Sequence, residues 1–316
     1  MELPLFLQRK SILHLKVSNH ILNSEGQNLR KRLRNTLSGV LSIEDMGKVH
    51  NAFDIIGDIA IIKLPGISAA SAQSIAATIM AVHRNVATVL AQTSPVTGDF
   101  RLRPLVYLRG ENKTSTIHRE FGCLFSVDIA HCYFSPRLSN ERHRIATMIK
   151  PQENIVNMFA GAGCFSILIA KKANPAKVYS IDINPAAILY MKENIRLNRV
   201  CDRVISLQGD AKEIINGRLQ SMADRVLMPL PEKALQYLTC AVSALKGSGG
   251  WIHYYDFAYA TKTENSVEKT KLKAAEELNR LNVEFSFPSS RVIRTIGPNW
   301  HQVVLDIKVS RIPDKC

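Results

Sequence analysis

The stretch NMFAGAGCF, Asn157 to Phe165, decides how the rest of the chain is read. The apolar residues before it suit a strand, and CFSILIAKKA after it suits a helix, so the glycines fall where a strand hands over to a helix. Small residues at such a point let the backbone pass close beneath a ligand, and glycine tolerates the turn. A dinucleotide fingerprint, G-x-G-x-x-G, needs a third glycine, but Gly161 and Gly163 are followed by Ser166. That weakens the case for a nicotinamide enzyme.

Outward from the loop the pattern repeats. KVYSIDIN reads as strand, AAILYMKENIRLN as helix and RVISLQGD as strand; RVLMPLP (strand), EKALQYLTCAVSALK (helix) and GGWIHYYDFA (strand) follow. KTKLKAAEELNRLN is helical and HQVVLDIKVS is a closing strand. Strands alternating with helices of this length predict an α/β fold, a Rossmann-like, mostly parallel sheet covered on both faces. Asp182 ends the second strand, where a carboxylate can accept from both hydroxyls of a ribose. Asp210 ends the third, at the same carboxyl edge. Either acid alone reads equally well as a helix N-cap. Both, in register with the loop, suit a nucleoside that lacks phosphates, and S-adenosylmethionine is such a ligand. The fourth strand ends Met228-Pro229-Leu230-Pro231, and two prolines there stop the pairing.

The N-terminal side has another character. Residues 1–45 form a short basic segment led by Lys10, Arg30, Lys31, Arg32 and Arg34. Residues 46–135 read as a smaller α+β domain. It has one long buried strand over FDIIGDIAIIKL, a helix running from Ser68 through about Leu90, and strands around 101–110, 114–122 and 124–134. The catalytic domain is then 136–316, opening on a helix over Glu141 to Ile149. Basic residues outnumber acidic ones 41 to 27, a net charge of +14 that attracts polyanions, whether nucleic acid or anionic membrane. No apolar run is long enough to span a bilayer, and the N-terminus lacks the plan of a signal peptide. Six scattered cysteines make no C-x-x-C pair, so a zinc or dithiol site has no support and a reducing cytoplasm is the expected home.

Several stretches together are familiar: FDIIGDIAIIKLP, GDFRLRPLVYLRGENKT, HREFGCLFSVDIAHCYFSPRLSNER, NMFAGAGCFSILIAKK, YSIDINPAAILYMKENIRLN, GGWIHYYDF and RVIRTIGPNWHQVVLDIKV. In this order, from about residue 50 onward, the chain resembles the archaeal and eukaryotic tRNA (guanine-37-N1) methyltransferase family, with YFSPRLSNER as the most specific piece. The resemblance implies a class I methyltransferase domain preceded by an RNA-recognition domain. It implies methyl transfer from S-adenosylmethionine to N1 of the guanosine 3′ of the anticodon, with an anticodon stem-loop as partner. The sulfonium donor is already activated, so no metal is expected, and nothing in the sequence demands more than a monomer. By the same resemblance Glu141 is the general base and Arg101 grips the guanine. Tyr133, Phe159, Ala160, Gly161, Gly163, Asp182, Ile183, Asp210, Ala211 and Pro229 line the donor site, and Arg137 and Pro231 face the substrate base. Pro229 stands where the family has asparagine, which removes an amide contact to the base. The chain also looks like the archaeal subgroup that methylates a wybutosine precursor at C7.

The chemistry suits those residue types. Guanine N1 is a poor nucleophile until its proton leaves, and a carboxylate within about 2.6–3.2 Å is the natural acceptor. Charge then spreads to O6, where an arginine stabilises it mainly in the transition state. From residues alone, Glu141 reads first as a surface salt bridge within ERHR, with Arg142 and Arg144 close by, and Arg101 and Arg103 share a strand face. His118 and His131 read as structural, while Lys113 and Arg119 are candidates for phosphate contact. Three other readings compete. One is a sister transferase moving the aminocarboxypropyl group of the same donor onto the wybutosine precursor. Another is a non-catalytic RNA-binding subunit, and the third is the nicotinamide enzyme already weakened above.

Overall fold

A computed structural model describes residues 53–96 and 98–311, together with Leu41 and Asp45. The basic segment 1–45 lies outside the described residues, apart from those two positions. The chain divides into two compact units, one containing residues 53–96 and 103–114, the other 98–102 and 115 onward.

In the N-terminal unit, FDIIGDIAIIKL is not one strand. It folds into β1 (Asp54–Ile56) and β2 (Ile59–Ile62), antiparallel, with Ile56 opposite Ile59. Gly57 takes a positive φ of 57° in the two-residue turn, a conformation that glycine adopts without cost. The following helix is also shorter than expected. α1 (Ala69–Val82) is capped by Ser68, whose Oγ accepts from Ser71 N at 3.1 Å, and it stops before the β-branched run that becomes β3 (Thr88–Gln92). With β4 (Leu105–Gly110) the sheet order is β1-β2-β3-β4, and Ile62, Ile75, Ile79 and Val89 form a core between sheet and helix.

Beyond 98–102, the second unit runs continuously from Ser115. The hairpin of β5 (Ser115–Glu120) and β6 (Cys123–Asp128) belongs with it because two asparagines bind the backbone of β6. Both lie on or just after α4 (Pro185–Leu197). Asn194 takes Ser126 N at 2.6 Å and gives to Ser126 O at 2.9 Å; Asn198 does the same for Leu124 at 2.9 and 2.7 Å. Among the described residues the main sheet has seven strands in the order β12-β13-β11-β10-β7-β8-β9. The parallel part is β7 (Asn154–Asn157), β8 (Lys177–Asp182), β9 (Val204–Gln208), β10 (Arg225–Met228) and β11 (Gly250–Tyr259). The residues HQVVLDIKVS predict a single closing strand. Instead β12 (Glu284–Gly297) and β13 (Trp300–Arg311) form a long antiparallel hairpin along β11. Pro288 in β12 fits because that strand is the sheet's edge. The helices α2 (Ser139–Met148), α3 (Cys164–Lys172), α5 (Ala211–Arg218), α6 (Ala234–Ala244) and α7 (Ser266–Arg280) complete the unit, with α4.

Candidate active site

The carboxyl ends of β7, β8, β9 and β10 open onto one cavity, as the crossover rule for α/β sheets leads one to expect. Its floor is the glycine loop. Ala160 N donates to Ile181 O at 2.8 Å and Gly163 N to Ala160 O at 2.9 Å, which ties the loop to the neighbouring strand and closes its turn. Gly161 lines the cavity, and a β-carbon there would meet nothing nearer than 3.7 Å. Gly163 has another job. It sits behind the wall with φ 87°, and a β-carbon would press to 2.8 Å from Met191 Cγ, so it fixes the turn without facing a ligand.

Both strand-end acids face the cavity. Asp182 accepts Gly161 N at 2.6 Å on one oxygen and Asn184 N at 2.9 Å on the other. Burial pushes its carboxyl above the ordinary range, against the pull of those two N–H groups. Asp210 caps α5 by accepting Lys212 N at 2.7 Å, and its second oxygen accepts the Tyr237 hydroxyl at 2.5 Å. Burial and that bond push the Tyr237 hydroxyl upward, so it stays a donor. Tyr237 was missed in the sequence; its only signal was a polar-tipped aromatic on the apolar face of a helix. Phe159 packs edge-on to Tyr237 at 5.1 Å, and Ala160, Ile183 and Ala211 complete an apolar wall around the acids.

The far end is held by side chains. Arg101 is not on a strand: it sits in a turn with φ 53°, a left-handed conformation costly for a long side chain. Its guanidinium lies 4.1 Å from the centre of the Tyr133 ring and pairs with Glu232 at 3.2 Å, while its buried Nε has no protein partner among the described residues. Lys233 holds the same turn through Asp99 at 2.5 Å. That turn also breaks the expected shared face with Arg103, which is buried in the N-terminal unit near Asp54. Pro229 and Leu230 line the cavity; Pro231 is buried off its wall and Arg137 is exposed off it.

Glu141 is the main departure. It does not line the cavity but is buried on α2, where Arg144 grips it at 2.7 and 3.0 Å, Tyr255 donates at 2.7 Å and Arg291 of β12 also pairs with it. Arg144 also holds Asp306 at 2.6 Å, and Asp306 contacts the buried His253 at 2.6 Å. The salt bridge within ERHR therefore forms with Arg144, but it is buried and not at the surface, and it recruits β12 and β13. On the same helix Arg142 lines the cavity and is paired to Glu120 at 2.7 and 2.5 Å. Neither histidine acts in the cavity: His118 packs on Phe134 at 5.0 Å and His131 lies 3.1 Å from Asp128. Lys113 is engaged by Asp58 and Glu111 at 2.7 and 2.6 Å, whereas Arg119 is exposed. Among the described residues no helix is long and apolar enough to cross a membrane.

Comparison with known proteins places this architecture. Residues 116–284 match the TRM5/TYW2 methyltransferase domain and residues 33–114 match the TYW2 N-terminal domain. The chain is 42 % identical to the tRNA (guanine(37)-N(1))-methyltransferase Trm5b of Pyrococcus abyssi, over 82 % of this chain and 75 % of that protein. It is 35 % identical to the tRNA 4-demethylwyosine(37)-methyltransferase Taw21 of Saccharolobus solfataricus, over 85 % of this chain and 97 % of the relative. A Trm5 solved in complex with tRNALeu superposes with a TM-score of 0.76 at 31 % identity, covering 89 % of this chain and 78 % of that one. From the glycine loop, the two strand-end acids and these matches alike, the chain belongs to the TRM5/TYW2 methyltransferase family.

Proposed function

We propose that the chain transfers the methyl group of S-adenosylmethionine to N1 of guanosine 37 in tRNA. The observation that carries this reading is the two-ended cavity, with Asp182 and Asp210 at one end and Arg101 beside Pro229 at the other. The donor end fits a nucleoside. Each Asp182 oxygen accepts one backbone N–H and keeps a lone pair for a ribose hydroxyl, while Phe159 and Ile183 offer apolar walls to a purine. When bound, the donor supplies a methyl group already activated on its sulfonium sulfur. The protein's remaining tasks are to align the target base and handle one proton.

At the base end, the Arg101 guanidinium lies over the Tyr133 ring and lines the cavity, and its N–H groups are the donors for O6 as negative charge gathers there. Glu141 is the carboxylate for the N1 proton, and it must leave Arg291 to reach the base. A net charge of +14 favours the polyanionic substrate, and a base beside the anticodon can be splayed out at modest cost. The test is incubation of the protein with labelled donor and unmodified tRNA, followed by nucleoside mass spectrometry. Labelled 1-methylguanosine is expected, and its absence sinks the reading.

A second reading draws on the sequestration of Glu141 and the resemblance to Taw21: methylation at C7 of 4-demethylwyosine at the same position. A ring carbon made electron-rich by its neighbouring nitrogens attacks first and loses its proton afterwards, so it needs no prior deprotonation. The same assay on precursor-bearing tRNA tests it. A product heavier by an aminocarboxypropyl group would replace methyl transfer with the sister reaction.

A further inference from the structure

The hairpin that the sequence reading missed reaches past the site. β11 last pairs with β10 at Tyr254, opposite Met228, then continues to Tyr259. At about 3.3 Å per residue that is roughly 16 Å beyond the strand end from which Pro229 enters the cavity. β13 follows β11 outward, with Tyr259 opposite Trp300, and the turn after Gly297 closes the hairpin there. The hairpin therefore overhangs the carboxyl edge, the side on which the cavity opens.

Its tip, with the end of β11 beside it, is aromatic and its flank is cationic. Tyr259 and Trp300 are each 44 % exposed, and their rings meet edge to face at 5.6 Å. From Ser286 to Leu305 the sequence contains no Asp or Glu but does contain Arg291, Arg294 and His301. Arg294 donates to Ser135 Oγ at 3.3 Å, and Ser135 lines the cavity, so the cationic flank leads from tip to site. Near Tyr259 the acid Glu264 is paired with Lys269, which also donates to the Tyr259 carbonyl at 3.2 Å. Aromatic faces beside a cationic flank are what unpaired nucleotides bind: bases stack on the rings and phosphates meet the guanidinium groups.

We propose that the tip of the β12–β13 hairpin, with the adjoining end of β11, is a stacking platform for unpaired nucleotides of the RNA whose base enters the cavity, with Trp300 and Tyr259 as the stacking faces and Arg291 and Arg294 as the phosphate contacts. This rests on the tRNA reading above. The chain has two tryptophans, so Trp251→Phe in the full-length protein leaves Trp300 as the sole reporter. Titration with an anticodon stem-loop RNA should quench its emission. Trp300→Ala should weaken that RNA about tenfold, Trp300→Phe should keep most of the affinity, and neither should change the melting temperature or the affinity for S-adenosylhomocysteine. Unchanged RNA affinity in Trp300→Ala, or quenching by anionic vesicles in place of RNA, overturns the platform while the tRNA reading stands. Failure of the unsubstituted protein to bind the stem-loop overturns both.

Discussion

The two ends of the cavity are built on different principles. At the donor end the functional groups are held mainly by backbone: Asp182 by the N–H groups of Gly161 and Asn184, and Asp210 by that of Lys212, with the Tyr237 hydroxyl as the one side-chain partner. At the base end Arg101 is held by side chains, Tyr133 and Glu232, and behind the cavity wall Glu141 is held by Arg144 of its own helix and by the distant Tyr255 and Arg291. Backbone amides at strand ends are fixed once the sheet forms, so the donor end is pre-organised. An ion pair between side chains can be exchanged for a pair with an RNA phosphate, so the base end is the part that can rearrange when substrate arrives.

Glu141→Gln tests that contrast most severely. On the base reading, single-turnover methylation falls by about 10²–10⁴ while affinity for S-adenosylhomocysteine is kept. The substitution also leaves Arg144 and Arg291 facing an amide, and loss of one member of a buried ionic cluster costs about 3 kcal/mol of unfolding free energy. Chemical denaturation and quench-flow kinetics separate the two effects. A loss of stability with an unchanged rate assigns Glu141 to the scaffold and moves the proton elsewhere. Arg101→Ala should come next, lowering kcat by about 10²–10³ with little change in donor affinity. An equal loss in donor binding would show that the two ends are one unit and erase the distinction.

The same division explains what the sequence could disclose. The glycine loop, Asp182 and Asp210 were legible because a strand-loop-helix pattern sets their positions locally, and the cavity lies where that pattern places it. Gly163 was legible as a glycine but not in its task, since only packing against Met191 separates a turn residue from a wall residue. The burial of Glu141 was not legible: Arg291 is 150 residues away, on a strand whose turn-rich, proline-bearing sequence does not read as the sheet edge it forms. The first long strand failed for a smaller reason. Gly57-Asp58 is a two-residue hairpin turn hidden inside an apolar run, and apolar density alone does not separate one strand from two.

The smallest effect expected is the most specific to the donor end. Asp182 receives a ribose hydroxyl best as a carboxylate, yet burial raises its proton affinity above that of an ordinary aspartate. Donor affinity should therefore fall as pH drops through this raised value, in a range where an exposed aspartate would still be ionised. Stability must move the other way. Because the folded state holds the Asp182 proton more tightly than the unfolded chain, its contribution to folding is largest below the ordinary aspartate value and is lost as pH rises through the raised one. Calorimetry with S-adenosylhomocysteine and melting curves of the wild type against Asp182→Asn, run over the same pH series, should thus diverge in direction. A donor affinity that stays flat down to the ordinary aspartate range would mean that Asp182 serves Gly161 and Asn184 alone, and the pre-organised end would then be organised for the loop and not for the ligand.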